Sequence, residues 1–119
     1  MFIMEFRKIN YNDFYNNYFE ILDQLSDTEK NKITFNKFKN FIDNLNINHQ
    51  IYVIEIDKKV VASGTIFIEN KIIHGLKNVG HIEDVVVDRN VRGQGLGKKI
   101  LNYLTNLAKC LNCYKVILN

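Results

Sequence analysis

The sequence predicts a mixed α+β domain, with a mostly antiparallel sheet and flanking helices, and three observations support that class. Two runs rich in β-branched residues, 49–57 and 60–69, are separated by a short polar turn, which is typical of an antiparallel hairpin. A third apolar run at 79–87 leads through a glycine-rich turn into an amphipathic segment over 96–112. A last β-prone run at 114–118 follows that segment, so we expect it to lie parallel to the third run through a right-handed crossover.

The N-terminal half of the chain supplies the remaining elements. Residues 2–9 alternate imperfectly between apolar and polar side chains and predict a first strand. Asn12 and Asp13 are suitable helix caps. The helix predicted after them carries an apolar stripe formed by Phe14, Tyr18, Ile21, Leu22 and Leu25. Polar residues 26–29 end this pattern, and a second helix is predicted from Thr34, with a stripe formed by Phe35, Phe38, Phe41, Ile42 and Leu45.

Two positions predict irregular strands. Gly64 interrupts the second β-branched run, which indicates a bulge or a close approach of another segment. Glu83 and Asp84 interrupt the third run. Adjacent side chains of a regular strand point to opposite faces, so one of the two carboxylates would enter the core. We therefore expect the strand to be irregular at this pair, and a frayed strand edge is the alternative.

Size and composition favour one ordinary globular domain over residues 1–119. The formal net charge of +3 is too small to favour a nucleic-acid partner. No apolar run approaches the roughly 20 residues that cross a bilayer, and residues 1–5 become charged too soon for a secretion signal, so we expect a cytoplasmic location.

Cys110 and Cys113 lack the further ligands of a zinc site, so we expect them to be buried and reduced, and no metal is predicted.

The glycine-rich turn is the main functional motif of the chain. It consists of Arg92, Gly93, Gln94, Gly95, Leu96, Gly97 and Lys98. Glycines let the backbone curl so that successive amide groups point at one anion, and the flanking cations add charge-assisted contacts, which suits a diphosphate. A Walker-type loop is excluded because Lys98 is followed by Lys99. A dinucleotide fingerprint is excluded because the glycines alternate and no acidic residue follows them, and a plain solvated turn does not explain the basic flanks.

The spacing of Arg92, Gly95 and Gly97 resembles the Arg-x-x-Gly-x-Gly acetyl-CoA loop of the GNAT N-acetyltransferases. Three further segments resemble the branch of this family that acetylates the amine of glucosamine 6-phosphate: residues 71–74, 81–87 and 111–115. The resemblance implies the GNAT fold, in which a β-bulge splays two parallel strands at the centre of a mixed sheet. It also implies acetyl-CoA as the cosubstrate and an amino sugar phosphate as the acceptor.

The same resemblance implies roles for individual residues. The cofactor is expected to contact the glycine-rich turn and a strand segment formed by Val85, Val86 and Val87. Catalytic roles fall on Glu83, Asp84 and Asn119. The implied acceptor site comprises Ser26, Lys71, Ile72, Ile73, His74, Glu83, Asp84, Val85, Tyr114 and Lys115. Tyr114 and Lys115 match residues that reach the sugar phosphate of the neighbouring subunit, so a homodimer is implied as well.

Several of these roles stay open at the level of sequence. Ser26 is at least as well suited to a simple helix cap. Asn119 stands where the resembled enzymes carry an acid, and an amide cannot act as a base, so a carboxylate or a backbone carbonyl acting through water would take the proton. A GNAT domain normally continues with another helix and two strands that carry a Tyr for the departing thiolate. We therefore expect a C-terminally truncated domain that binds CoA better than it turns over.

Three functions are consistent with these residues. The first is transfer of the acetyl group of acetyl-CoA to the amine of glucosamine 6-phosphate, which gives N-acetylglucosamine 6-phosphate for the synthesis of its UDP sugar. The second keeps the same cosubstrate and changes the acceptor to another small amine. The third is a catalytically impaired module that binds CoA or dimerises.

Overall fold

The computed structural model describes residues 3–119, so Phe2 of the predicted first strand lies outside the described residues. In chain order the elements are β1 (Met4–Lys8), α1 (Tyr18–Asp23), α2 (Phe35–Asp43), β2 (His49–Ile56), β3 (Lys59–Asn70), α3 (Ile73–Leu76), β4 (Asn78–Val87), α4 (Leu96–Cys110) and β5 (Cys113–Leu118). Short 3-10 turns occupy Tyr11–Tyr15, Lys30–Lys32 and Arg89–Val91. Within α3, His74 and Gly75 have left-handed dihedrals, so this segment is a tight turn rather than a regular helix.

The strands form a single sheet in the order β1-β2-β3-β4-β5. The first four are antiparallel neighbours, and β5 lies parallel to β4 across α4. The predicted hairpin is present because Asp57 and Lys58 both take positive φ angles, 50° and 69°, and so match the right-handed twist of the strands they join. The predicted mixed, mostly antiparallel architecture is confirmed.

Helices cover both faces of the sheet. On one face α4 packs through residues spaced by four, and the core there includes Ile54, Ala62, Ile66, Ile82, Leu96, Ile100, Leu104 and Ala108. On the other face α1 and α2 pack against the sheet, and that core includes Ile9, Tyr18, Phe19, Ile21, Phe38, Val53, Val60 and Val86. Thr34 begins α2 as predicted, since its Oγ1 accepts a hydrogen bond from Lys37 N at 3.2 Å.

A β-bulge interrupts the centre of the sheet. Opposite Gly64 of β3, strand β4 carries two residues, Asp84 and Val85, and the register shifts at this point. Asp84 has a left-handed φ of 52°. A Cβ on Gly64 would lie 2.8 Å from Leu104 Cδ1, so the absent side chain lets α4 approach the strand. Glu83 and Asp84 are both exposed, so the irregular strand keeps both carboxylates out of the core, as predicted.

The first helix was predicted as one element, and this prediction is wrong. The chain forms the 3-10 turn Tyr11–Tyr15 and then only the six-residue α1. Asn17 lies between them with a φ of 60°, a left-handed value that a continuous right-handed helix does not allow. Its Nδ2 donates a hydrogen bond to Val60 O at 2.9 Å, so a contact with the sheet stabilises the interruption.

Neither Asn12 nor Asp13 is the N-cap that the sequence predicted, and Asp13 forms an ion pair with Arg7 instead. Asn10 precedes the turn instead, and Asp13 Oδ2 accepts from Asn10 N at 2.9 Å. Asp13 is fully buried and accepts two further bonds from the Arg7 guanidinium, at 2.8 and 2.9 Å. Arg7 Nε also donates to Glu55 Oε2 at 2.8 Å. The hydrogen bond to Asp13 is the largest cause that raises the pKa of Arg7 above its ordinary value.

We predict that Asp13→Asn destabilises the protein by about 2–4 kcal/mol, because it leaves the Arg7 guanidinium without its buried counter-charge. Urea unfolding followed by circular dichroism measures this change. Glu5→Gln on the exposed side of β1 is the matched control and should stay within about 0.5 kcal/mol of the wild type. Equal stability of Asp13→Asn and Glu5→Gln would contradict the prediction.

Candidate active site

The glycine-rich turn connects β4 to the start of α4. Gly93 and Gly95 have positive φ angles, 90° and 73°, which residues with a Cβ rarely adopt. No side chain caps α4, and its first turn contains no acidic residue. The amides at the start of a helix have no intrahelical acceptor, so this turn directs free N–H groups outward. Lys98 is exposed beside them, and this arrangement suits an anion.

A groove of about 600 Å³ runs from this turn along β4. Its lining includes most of the predicted cofactor residues: Val85, Val86, Val87, Arg92, Gly93, Gly95, Leu96 and Gly97. Arg92 Nε donates to Val87 O at 3.3 Å, so the side chain folds back along the end of the strand. Gln94 and Lys98 are exposed on the same turn but do not line the groove. The structure therefore brings the strand and loop parts of the predicted cofactor site together.

Gln24 and Leu25 also line the groove, and the sequence interpretation did not assign them to it. Gln24 Nε2 donates to Asp88 Oδ1 at 3.3 Å, and Gln24 Oε1 accepts from Arg89 N at 2.8 Å. Asp88 is 2% exposed and accepts further bonds from Asn17 Nδ2 and Asn90 N, both at 3.0 Å. Burial opposes ionisation of Asp88, but these hydrogen bonds outweigh it and lower its pKa. The ends of α1 and the start of the loop are thereby held together.

A second cavity, of about 490 Å³, lies between α1, α2 and the sheet. It contains two residues of the predicted acceptor site, Ser26 and Asp84. Tyr18, Ser63 and Thr65 line it beside Asp84, and much of the remaining wall is apolar: Ile9, Phe19, Leu22, Ile33, Phe38, Phe41 and Ile51. Leu25 lines both this cavity and the groove, so the two spaces are neighbours.

The three predicted catalytic residues lie at one place. Asn119 Nδ2 donates to Glu83 Oε1 at 3.1 Å, and Asn119 N donates to Ile82 O at 2.9 Å, at the end of the β4 and β5 pairing. Asp84 follows Glu83 directly and borders the cavity. All three side chains are exposed to solvent, so they are accessible to a ligand. The neutral amide of Asn119 donates to a carboxylate rather than accepting a proton.

Of the other predicted acceptor residues, Val85 lines the groove, and the remaining six form a separate group at the opposite end of β4. The His74 ring lies 4.2 Å from the Tyr114 ring, centroid to centroid, and Lys115 follows in β5. Lys71 Nζ lies 3.2 Å from Glu69 Oε2, whose other oxygen lies 3.0 Å from His81 Nε2. The His81 contact, followed by the Lys71 contact, lowers the pKa of Glu69. Neither the cavity nor the groove is lined by any of these six residues: Lys71, Ile72, Ile73, His74, Tyr114 and Lys115.

Among residues 3–119, no group of three or more metal-ligating side chains is close enough to hold a metal ion. Cys110 is exposed and Cys113 is half-buried, so the prediction that both are buried is wrong for Cys110. It lies in the last turn of α4, off the stripe of Leu96, Ile100, Leu104 and Ala108 that contacts the sheet. No helix within the same residues is long and apolar enough to cross a membrane.

Comparison with known proteins shows the family. The family model of the acetyltransferase (GNAT) family matches residues 8–119. The glucosamine 6-phosphate N-acetyltransferase of Arabidopsis thaliana is 38% identical over 120 residues, which cover 95% of this chain and 78% of the relative. The enzyme of the same name from Candida albicans is also 38% identical, over 96% of this chain and 78% of its own length.

The solved structures agree as well. The crystal structure of the Arabidopsis thaliana enzyme superimposes with a TM-score of 0.90 at 36% identity, covering 98% of this chain and 82% of that one. A Trypanosoma brucei acetyltransferase superimposes with a TM-score of 0.88 at 31% identity, over 98% and 82% of the two chains. The chain belongs to the GNAT acetyltransferase family, which uses acetyl-CoA, and the predicted family and enzyme class are confirmed.

We predict that Arg92→Ala weakens CoA binding about tenfold, because a charge-assisted contact with the diphosphate is lost at an exposed position. Isothermal titration of the purified protein with CoA measures the dissociation constant. The matched control is Arg89→Ala, since Arg89 is an exposed arginine three residues earlier that does not line the groove. Raising the salt concentration should shrink the difference between the two variants. Equal losses in both variants would place the diphosphate elsewhere.

Proposed function

We propose that this chain transfers the acetyl group of acetyl-CoA to the amine of glucosamine 6-phosphate. The observation that carries the proposal is the adjacency of the groove and the cavity. Leu25 lines both, and the bulge presents Asp84 to the cavity while Val85 lines the groove. A donor lying in the groove and an acceptor lying in the cavity would therefore meet at the bulge. The relatives named for this reaction, at 38% identity, support the choice of acceptor.

The donor side follows from the groove. The amides between Gly93 and Lys98 bind the diphosphate of CoA, and Arg92 adds a cation at its edge. The pantetheine arm then lies beside Val85 and Val87, where backbone N–H groups of the bulged strand polarise the thioester carbonyl. This leaves the carbonyl carbon next to Asp84.

The acceptor side follows from the two carboxylates. Asp84 and Glu83 attract the ammonium form of the amino sugar, and Asn119 holds the Glu83 carboxylate through the 3.1 Å hydrogen bond. Attack requires the neutral amine, so one proton leaves the nitrogen, directly or through a water molecule, to a carboxylate. The nitrogen–carbon bond then forms, the nitrogen gives up a second proton to solvent as the carbon–sulfur bond breaks, and the departing thiolate takes up a proton from solvent.

A second copy of the chain completes the acceptor site in this proposal. A cationic and aromatic group that suits a sugar phosphate is formed by Lys71, His74, Tyr114 and Lys115. This group lines neither the groove nor the cavity of its own chain. The apolar side chains beside them are exposed: Ile72 at 85%, Ile73 at 57% and Leu76 at 66%. A homodimer that buries these side chains would carry the cationic group to the partner's cavity. This dimer and the cytoplasmic location remain predictions.

The proposal predicts that purified protein releases free CoA from acetyl-CoA when glucosamine 6-phosphate is added, as measured with a thiol reagent. Asp84→Asn should lower kcat/KM for the amino sugar about 100-fold, because the carboxylate next to the reacting nitrogen is lost. Glu20→Gln, an exposed carboxylate change on α1 outside both spaces, is the matched control and should behave as the wild type.

A panel of amines distinguishes the three functions. Turnover of glucosamine 6-phosphate above glucosamine and simple alkylamines supports the proposal. If only another amine is acetylated, that amine is the acceptor and glucosamine 6-phosphate is not. CoA binding without turnover of any amine identifies a binding or dimerisation module. A wild-type kcat/KM in Asp84→Asn would show that the Asp84 carboxylate does not take part in the reaction.

A further inference from the structure

A buried pair of hydroxyl groups faces the acceptor cavity without a complete set of partners. Tyr18, the first residue of α1, is 5% exposed, and Ser63 of β3 is 1% exposed. Both line the cavity, as do Thr65 and Asp84. Ser63 Oγ donates to Tyr18 Oη at 3.5 Å, which is long for a hydrogen bond between hydroxyl groups. Among the described residues neither hydroxyl has another side-chain partner.

A count of protons shows what this pair lacks. Each hydroxyl carries one proton and accepts as well, so a pair bonded only to itself uses one proton and leaves one over. This holds whichever of the two oxygens donates. Buried polar hydrogens without an acceptor are costly, and native structures nearly always satisfy them. The remaining proton faces a cavity wide enough for a small molecule.

The charge around the pair keeps it a hydrogen-bond donor. The pKa of Tyr18 is raised to about 12, chiefly by burial; the hydrogen bond with Ser63 acts against this rise, and the carboxylates of Asp13 and Asp84 add to it. The phenol is therefore protonated at neutral pH. A donor beside the carboxylate of Asp84 suits a molecule that carries an amine and, close to it, an oxygen acceptor.

We propose that the Tyr18 and Ser63 pair donates a hydrogen bond to an oxygen of the acceptor bound beside Asp84, and that it makes the cavity selective for amines with a neighbouring hydroxyl group. This rests on the proposed function and adds to it a specificity-determining contact in the acceptor cavity. An alkylamine leaves the proton unpaired in the bound state, so the site disfavours it.

Tyr18→Phe tests the proposal, since it removes one oxygen and keeps the ring that packs against Phe19 and Phe38. We expect KM for glucosamine 6-phosphate to rise about five- to tenfold, with kcat and KM for acetyl-CoA within twofold of the wild type. kcat/KM for 4-aminobutyl phosphate, which carries no oxygen close to its amine, should stay within twofold. Ser63→Ala should produce the same selective loss.

Tyr15→Phe is the matched control, because Tyr15 is 72% exposed and lines neither space. Thermal unfolding of each variant separates loss of structure from loss of a contact. Unchanged KM in Tyr18→Phe, or equal losses with both acceptors, overturns the inference while the proposed function stands. A wild-type protein that does not acetylate glucosamine 6-phosphate overturns both.

Discussion

The site depends on one irregularity, the place where Gly64 of β3 faces both Asp84 and Val85 of β4. A regular strand in this register would send one of two adjacent carboxylates into the core beneath α4, at a large desolvation cost. The extra residue shifts by one position the alternation of side chains between the two faces of the sheet, so that after the bulge Val86 packs on the α1 side and Val87 against the α4 core. Asp84 is left at the border of the cavity. Gly64 makes this possible because any side chain there would collide with Leu104.

The two spaces around the bulge share walls that are held in place by buried polar contacts. Asp88, just after β4, binds Asn17 and Gln24 at the two ends of α1. Because Leu25 follows Gln24 directly, the same contacts hold its backbone where its side chain lines both spaces. Geometry at the donor loop and geometry at the acceptor cavity are therefore linked through α1, although the two motifs are far apart in sequence.

The features that sequence alone predicted are those with local causes. Alternation and turn chemistry predict the hairpin of β2 and β3, and the four-residue spacing of apolar side chains predicts α4. The glycine spacing predicts the loop, since Gly93 and Gly95 require positive φ angles that few other residues tolerate. Even the bulge has a local signal, because two adjacent carboxylates do not fit a regular buried strand.

Features that depend on distant contacts were missed. The first helix is interrupted because Asn17 binds the carbonyl of Val60, and no local pattern reports that bond. Asp88 has the appearance of a surface residue in the sequence, yet it is buried by three partners from two segments. The pairing of Tyr18 with Ser63 joins a helix to a strand that follows 45 residues later. Lys71 and His74 were grouped with Asp84 by resemblance, but in one chain they lie at the opposite end of β4.

The central claim is that the bulge and the glycine loop together position one CoA molecule along β4. A crystal structure of the protein with bound CoA tests it most directly. We expect the diphosphate on the amides between Gly93 and Lys98 and the pantetheine arm beside Val85 and Val87, with its sulfur close to Asp84. CoA bound at any other surface, or a groove left empty in crystals whose solution counterpart binds CoA, would contradict it.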